Sequence, residues 1–407
     1  MDLAERSTEW ETGHPIRLRR PVQGSGPAWA GRGRARMIPP NIRYGWEHSG
    51  NPLVAGAHGW ADAVAATRPW LVESRSSLEG APVLAYGGLA RGHSHGLPFL
   101  EQRRGGRSTR QARRTSWAEL TSGRAAPAAD LLVIGIPRRM APSPPPRHSL
   151  LLPFRVGQAV PVGPEHGDVL DRLSRQARKQ HRHEMTVRCR SLEVATRESD
   201  FDYFYDRMHK PTMDRRHGDR AHSEEREHAR RCLFHRGVLF FLCESGQRVA
   251  GMLCRLEGRT LVLRLAGVAG GDKGYYRTSA YLTVYVLLLQ WAAAQGLRRV
   301  DLAGCEPFLS KGIFQFKRRM HPQVGLPDDH YRDKRLLLWA RRDTPAVRDF
   351  LVANPMLLIG VDQSLEACYF HDADRPPRVD LPWRSPGVRA HRLVDCDGFL
   401  EGLPGPA

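Results

Sequence analysis

The chain has 407 residues, and its 62 Lys and Arg residues exceed its 43 Asp and Glu residues by 19. Hydrophobic residues make up 41% of the sequence, and no apolar run reaches the roughly 18–20 residues of a membrane-spanning helix. A polytopic membrane protein and a wholly disordered chain are therefore excluded, and the positive charge predicts an anionic partner such as nucleic acid, an acidic membrane surface or a phosphorylated small molecule.

The first 184 residues are weakly patterned. Residues 1–45, rich in Arg, Gly and Pro, are predicted to be a disordered extension, and residues 46–184 a first domain. In that domain Gln102–Arg114 carries six Arg residues and no acid, which predicts an exposed loop. Asp130–Ile136 is a short run of β-formers and predicts a buried strand. Asp168–Glu184 predicts a helix with one apolar stripe and one basic face.

The next segment, residues 185–345, is predicted to be a second domain. Met185–Ala195 alternates as a strand does, and Ser199 and Ser223 are each placed to cap a helix. Three further strands with tight turns between them are then predicted, namely Val238–Glu244, Gln247–Leu256 and Thr260–Val268.

A glycine-rich turn and a long helix follow the last of these strands. Thr278–Gln295 is apolar nearly all round, so it predicts a helix buried in the core. The remaining predictions are strands at Arg298–Ala303 and Arg335–Ala340 with a short helix between them, and residues 346–407 as one helix with a Pro-rich tail.

This order, β-α-α-β-β-β-α-β-α-β, resembles the fold of GNAT acyltransferases. Asp301–Phe308 followed by Gly312–Arg319 is similar to a stretch of Fem-type and related GNAT-like proteins. The resemblance is strong over residues 185–340 and weaker before them, where it implies a degenerate first half. It implies an α/β (α+β) fold, with a mixed, mainly antiparallel sheet flanked by helices, in two tandem GNAT-like halves.

The resemblance also implies an enzyme, an N-acyltransferase that moves an acyl group from a thioester to a small-molecule amine. The donor would be acyl-CoA, such as acetyl-CoA, or an acyl-carrier protein. In the Fem-type branch the donor is aminoacyl-tRNA and the acceptor a cell-wall precursor. The pyrophosphate loop of acyl-CoA enzymes, R/Q-x-x-G-x-G/A, has no counterpart in Gly267–Ser279, so both donors stay open.

The glycine-rich turn is the predicted donor site, because the N-terminus of a helix attracts anions. Glycines allow close backbone approach there, and Lys273 and Arg277 could neutralise phosphates. By position in the fold, a backbone N–H of Leu265–Val268 would polarise the acyl carbonyl. The full predicted donor set is Leu265, Gly267, Val268, Gly270, Gly271, Lys273, Arg277, Thr278 and Lys317. A long turn before a core helix is the alternative explanation of the same pattern.

Glu306, Asp301 and Tyr276 are the predicted catalytic residues, because amine acylation needs a base or a relay of water. Each side chain equally allows a structural role, as a cap, a hydrogen-bond acceptor or a core residue. The histidines lack metal-ligand spacing, so no metal is expected. The scattered cysteines include no C-x-x-C pair, and free thiols fit a cytoplasmic protein. A third hypothesis is a non-catalytic basic module, which binds nucleic acid or an anionic membrane through residues 103–190.

Overall fold

A computed structural model describes residues 39–65, 67–195, 197–217, 224–360 and 362–405. Residues 40–407 form one compact unit. Its strands are β1 Trp70–Ser76, β2 Leu84–Gly88, β3 Ser108–Arg114, β4 Leu131–Pro137, β5 Ser149–Pro153, β6 Gly157–Pro161, β7 Arg190–Ala195, β8 Gly237–Glu244, β9 Gln247–Glu257, β10 Thr260–Val268, β11 Arg299–Asp301, β12 Gln323–Gly325, β13 Lys334–Ala340, β14 Met356–Ile359, β15 Leu365–His371 and β16 Val388–Asp395.

Helices connect and cover these strands. They are α1 Pro40–His48, α2 Pro52–Ala65, α3 Arg91–Ser94, α4 Gly96–Arg104, α5 Trp117–Thr121, α6 Val169–Arg172, α7 Arg175–Arg188, α8 Glu198–Phe204, α9 Lys210–His217, α10 Arg226–Cys232, α11 Gly274–Arg277, α12 Ala280–Ala294, α13 Gly312–Arg318, α14 Pro345–Ala353 and α15 Cys396–Leu400. A π-helical turn, Tyr205–His209, joins α8 to α9.

The central sheet has seven strands in the order β12-β6-β11-β10-β9-β8-β7. One face packs on α7 and α12, whose apolar side chains meet Leu261 and Leu263 of β10. The other face packs on α1, α8, the π-helical turn and α10, and meets Leu265 of the same strand. Leu261, Leu263 and Leu265 would share one face of a regular strand, but the register of β10 shifts between Leu263 and Leu265. Leu265 therefore faces the opposite side, and β10 is covered on both faces.

A six-stranded sheet, in the order β3-β1-β2-β4-β13-β5, forms the second layer. The two sheets exchange strands. β6, which precedes α7 in the chain, pairs with β11 and β12 of the central sheet. β13, which follows the central sheet in the chain, pairs with β4 and β5 of the six-stranded sheet. This exchange crosses the predicted boundary at 184/185, and the division into tandem halves remains a proposal.

The three consecutive antiparallel strands β8, β9 and β10 form a meander. These predicted strands and the predicted long helix, α12, are confirmed within two residues at each end. The segment Met185–Ala195 was assigned wrongly in part, because α7 continues to Arg188 and only the residues from Arg190 onward form a strand. Ser223, the predicted cap, lies outside the described residues.

Three segments that the sequence predicts to be irregular are ordered elements. Residues 40–45 belong to α1, whose Tyr44 is buried. Gln102–Arg114 is the end of α4 followed by β3, so the prediction of a loop is wrong. The C-terminal section contains the sheet β14-β15-β16 in addition to α14 and α15. The first two segments have partners elsewhere in the chain, Glu257 for Tyr44 and β1 for β3, whereas the C-terminal strands pair with one another.

Candidate functional site

The parallel strands β10 and β11 separate soon after they begin. Their pairing ends with Val262 opposite Asp301. A β-bulge between Leu263 and Leu265 interrupts the pairing of β10 with β9 at the same level, and a bulge bends its strand away from the neighbour. We call the resulting wedge between the two strands the β10–β11 opening. It leaves backbone groups on one edge of β10 without a neighbouring strand.

Side chains from the π-helical turn and α9 bind part of this edge. The Val268 N–H donates to Thr212 Oγ1 at 2.9 Å, and His209 Nδ1 lies 2.9 Å from the carbonyl oxygen of Ala266. The N–H and C=O of one residue point to the same side of a strand, so the N–H of Ala266 also faces the opening. Within the predicted stretch Leu265–Val268, the N–H of Val268 is therefore engaged and that of Ala266 faces the opening.

A cavity of about 750 Å³ lies beside the opening, on the sheet face opposite α12. Its walls are α1, residues 91–95, the start of β6, the strands β10 and β11, and the segment from Pro327 to Tyr331. Two of the predicted site residues, Leu265 and Asp301, line it. The other predicted residues are not among its lining side chains in the described part of the chain.

Two carboxylates of the cavity have no Lys or Arg within ion-pair distance among the described residues. Asp301 Oδ1 accepts the Ala303 N–H at 2.8 Å, and Asp329 Oδ1 accepts the Tyr331 N–H at 2.9 Å. Burial raises the pKa of both carboxyls, and the charge of Asp301 contributes to the increase at Asp329. Ala303 adopts φ +63°, an uncommon conformation for a residue with a side chain, next to the cavity.

Arg155 and Arg264 are two of the arginines that bring positive charge to the same cavity. Arg155 donates to the carbonyl oxygen of Gly304 at 2.9 Å, and its guanidinium lies 5.5 Å from the ring centre of Tyr331. No carboxylate lies within ion-pair distance of Arg155 among residues 39–405 as the structure describes them. Arg264 contacts His48 Nε2 at 2.5 Å. Burial, followed by the charge of Arg264, lowers the pKa of His48 to about 2, so His48 is a neutral acceptor.

The predicted donor turn lies at the opposite end of β10 from the pairing with β11. Gly270 and Gly271 both have positive φ, and a Cβ on Gly271 would lie 2.6 Å from the Pro211 oxygen. Lys273 and Arg277 are exposed. Gly267 is also tightly enclosed, because a Cβ there would lie 2.6 Å from the backbone of residues 208–209.

Contacts with Arg190 fix the residues that precede α12. Ser279 precedes α12 with φ +55°, and its side chain makes no capping hydrogen bond to the helix. The buried Arg190 donates to the Thr278 carbonyl oxygen at 2.8 Å and to Thr278 Oγ1 at 3.2 Å. An uncapped first turn leaves N–H groups for an acceptor from outside the helix.

The structure places the remaining predicted residues away from the cavity lining. Glu306 is buried and forms an ion pair with Lys311. Lys317 is buried, and its Nζ donates to the Ala303 carbonyl oxygen at 2.9 Å. This hydrogen bond stabilises the loop that follows Asp301. Burial lowers the pKa of this lysine. Tyr276 stacks on Tyr281 at 4.9 Å between ring centres, beside the donor turn.

Sequence reasoning missed most residues of the cavity, including Tyr44, Arg155, Asp329 and Tyr331. Tyr44 donates to Glu257 Oε1 at 2.9 Å, which attaches α1 to the central sheet. The one local signal was the Asp329-His330-Tyr331 turn, because an Asp before a short helix is a typical cap.

A buried cluster behind the cavity contains His58, Asp62 and His330, whose nitrogen and oxygen atoms lie within 4.8 Å of one another. The two imidazole rings stack at 3.7 Å with an angle of 4° between them. A metal lies in the plane of each imidazole that binds it, and two parallel planes cannot share one ion. Lys334 Nζ lies 2.6 Å from His330 Nδ1 and pairs with Asp62, so an ammonium group already fills the cation position. The expectation of no metal remains a prediction.

A family model described as an acetyltransferase (GNAT) domain matches residues 169–318. This segment includes α7, the meander, the β10–β11 opening, α12 and Asp301. The chain therefore contains a GNAT-type acetyltransferase domain, which confirms the predicted fold class and the prediction of an acyltransferase. No curated protein matches the chain. Among the described residues, no helix combines the length and the apolar character needed to cross a membrane.

Solved structures of similar fold include FemX, with 10% identity over 69% of this chain and 90% of FemX, at a TM-score of 0.38. L-PGS from Bacillus licheniformis has 11% identity over 75% of this chain and 97% of its own, at a TM-score of 0.32. A GCN5-related N-acetyltransferase from Sphaerobacter thermophilus has 14% identity over 66% of this chain and 75% of its own, at a TM-score of 0.28. At these scores the likenesses identify neither the donor nor the acceptor of this chain.

Proposed function

We propose that the protein transfers an acyl group from a thioester donor, acyl-CoA or an acyl-carrier protein, to the amine of a small molecule. One observation carries this proposal. The β10–β11 opening lies between an uncapped helix start on one side of the sheet and a charged cavity on the other. A donor held at the helix and an acceptor held in the cavity would meet at the opening.

The donor end rests on the turn between β10 and α12. The first turn of α12 offers N–H groups and the positive end of the helix dipole, which favour phosphate. Lys273 and Arg277 are exposed beside it and add positive charge. Acetyl-CoA or a longer acyl-CoA fits this chemistry, because its pyrophosphate and pantetheine arm would extend from the turn towards the opening.

The chemistry at the opening needs a base and a group that polarises the carbonyl. Asp301 is the candidate base, since it has no cationic partner and lies at the point where the strands separate. The acceptor nitrogen, as a neutral amine, attacks the thioester carbon, and its proton passes to the Asp301 carboxylate. The C–S bond breaks, the departing thiolate takes a proton from solvent to become the thiol, and Asp301 returns its proton to solvent. The Ala266 N–H is placed to stabilise the oxyanion of the tetrahedral intermediate. Lys317 is a positioning residue, because it fixes the loop after Asp301 by its hydrogen bond to the Ala303 carbonyl oxygen.

Donor binding tests the first half of this proposal. Purified protein is titrated with acetyl-CoA, longer acyl-CoAs and an acyl-carrier thioester, and acylation of a panel of amines is followed by mass spectrometry. Lys273→Ala with Arg277→Ala should weaken donor binding by at least about 10-fold, because a single charge-assisted contact to phosphate is worth about 1.5–3 kcal/mol. The control is Arg389→Ala, which removes an exposed arginine paired with Asp362. Failure of every thioester to bind would exclude this donor class.

Aminoacyl-tRNA is the second candidate donor, and the surface of α7 favours it. Arg175, Lys179 and Arg182 are exposed on this helix, whose Gln180 contacts Ser279 at the start of α12. A basic face beside the donor end suits a polyanionic donor whose aminoacyl ester, like a thioester, reacts with an amine. Binding of charged tRNA should weaken steeply with salt and on substitution of these three residues by Gln. Absence of tRNA binding at low salt contradicts this candidate.

The alternative of a basic binding module has less support. Arg104 is buried and donates to Ser74 and Ser108, and Arg110 pairs with Glu101. Part of the positive charge in 103–114 is therefore used inside the fold. An anionic membrane surface remains a proposed partner through α7. We also propose a cytoplasmic location, because all seven cysteines are free thiols.

A further inference from the structure

The cavity beside the β10–β11 opening contains two kinds of charge that protein partners do not neutralise. Asp301 and Asp329 form its negative part, and each accepts only a backbone N–H bond. Arg155 forms its positive part, and its described partners are a carbonyl oxygen and an aromatic ring. All three residues line the same cavity.

Most other charged groups of the cavity are already paired. Arg43 and Arg91 both contact Glu47, at 3.2 and 3.1 Å, and Arg299 contacts Asp328 at 2.7 Å. Each of these arginines faces a carboxylate, and two of them share Glu47, whereas no carboxylate lies within ion-pair distance of Arg155 in the described part of the chain. The unpaired groups therefore define what the cavity binds.

Both unpaired groups keep their capacity for a ligand. A guanidinium has five N–H donors in a planar fork, and the bond to Gly304 uses one of them. The fork matches the geometry of a carboxylate or a phosphate. The carboxylates at Asp301 and Asp329 accept hydrogen bonds from an ammonium group or a neutral amine.

We infer that the acceptor is an amine that also carries an oxyanion group, a carboxylate or a phosphate. Its amine lies at Asp301 and Asp329, beside the β10–β11 opening, and its oxyanion lies at Arg155. This inference rests on the proposed function for the reaction, but the binding it describes needs no donor. Recognition at two points fixes the amine at the opening, which is how a transferase lowers the entropic barrier of a two-substrate reaction.

The test is binding of matched probes to the full chain, measured by calorimetry without a donor. One pair is β-alanine and n-propylamine, in which a methyl group replaces the carboxylate. The other is phosphoethanolamine and ethanolamine, and propionate serves as a probe without an amine. The amine that carries the oxyanion in at least one pair should bind 10-fold or more tightly than its counterpart without the oxyanion and than propionate. The pair that shows the larger difference identifies the oxyanion.

Arg155→Met should abolish that preference and leave binding of the amine without the oxyanion unchanged, while Arg155→Lys keeps part of the preference. Arg147→Met, which removes an exposed arginine paired with Glu401, is the matched control. Equal binding of both members of each pair, no binding of any anionic probe, or an equal loss of both members in Arg155→Met would overturn the inference. If the lysine variant folds and the methionine variant does not, the preference in Arg155→Lys alone decides.

The two proposals fail in different ways. Selective binding of the amine that carries an oxyanion, without acylation by any donor, would refute the proposed reaction and keep the inference. Acylation of amines with and without an oxyanion at equal efficiency would keep the reaction and refute the inference.

Discussion

The buried Arg190 is expected to contribute strongly to stability, because it joins the start of β7 to the turn before α12. Its side chain has no exposed surface and contacts Glu184 Oε2 at 3.1 Å and Glu244 Oε2 at 3.0 Å. It also donates to the Thr278 carbonyl oxygen at 2.8 Å. Arg190→Met keeps much of the packing but removes the charge and every one of these hydrogen bonds.

The magnitude follows from what the substitution leaves behind. Removal of one partner of a buried ion pair costs about 3–5 kcal/mol, since the other charge stays buried without compensation. Here Arg188 also contacts Glu184 and Glu244, at 3.0 and 2.8 Å, so part of the compensation remains. We expect a loss near the lower limit, about 3 kcal/mol. The exposed pair of Arg147 with Glu401 should contribute at most about 1 kcal/mol.

Urea unfolding of the wild type, Arg190→Met and Arg147→Met measures these losses. The double variant Arg190→Met with Glu184→Gln should recover part of the stability, because it removes one of the uncompensated charges. Donor binding should also weaken in Arg190→Met, since the Thr278 turn loses its anchor. A loss in Arg190→Met no larger than that in Arg147→Met, or no recovery in the double variant, would refute this account of the cluster.

Four further predictions concern the proposed site and the elements around it. Burial raises the pKa of Asp301 above the usual aspartate value of about 3.9. If Asp301 is the base, the rate of acylation should rise as the pH increases through this raised pKa. The pH–rate profile of Asp301→Asn should lack that rise. Asp301→Asn should be at least as stable as the wild type at neutral pH, because a raised carboxyl pKa destabilises the ionised folded state. In Gly270→Ala the new Cβ meets open space, so the substitution should destabilise the fold by about 1–2 kcal/mol through its positive φ alone. Gly271→Ala should be more destabilising in the same thermal melt, because its Cβ would lie 2.6 Å from a backbone oxygen. Equal losses of stability would contradict the enclosure of Gly271. Tyr44→Phe removes the hydrogen bond to Glu257 and should cost about 1 kcal/mol in urea unfolding, and an unchanged midpoint would show that this bond does not hold α1.

The central fold was predictable because its signals are local. Each strand of the meander is an apolar run bounded by a turn such as Ser245-Gly246, and α12 is apolar over its whole length. These patterns depend on residues within one element, so one sequence is enough to recognise them. The candidate base Asp301 was predictable for the same reason, since it ends a recognisable strand.

The segments that the sequence predicted wrongly depend on distant partners. Gln102–Arg114 reads as a loop because of its six arginines, yet β3 forms there by pairing with β1. Arg110 pairs with Glu101, and Arg104 donates to Ser74, 30 residues away. Helix α1 is stabilised by Tyr44, whose partner Glu257 lies 213 residues further along the chain. Composition alone favours a loop at Gln102–Arg114 and disorder at residues 40–45, and contacts with distant residues reverse both preferences.

The sequence by itself determined the class of fold, the order of the central elements and the strand end that carries Asp301. The tertiary structure decided which groups share the cavity with it. Arg155 lines the same cavity as Asp301 because β6 enters the central sheet from outside the predicted domain, and Asp329 and Tyr331 are placed where the chain leaves that sheet for β13. Periodicity reports which face of an element is buried, whereas the pairing of strands far apart in sequence sets which charges meet. The candidate site is a product of that pairing.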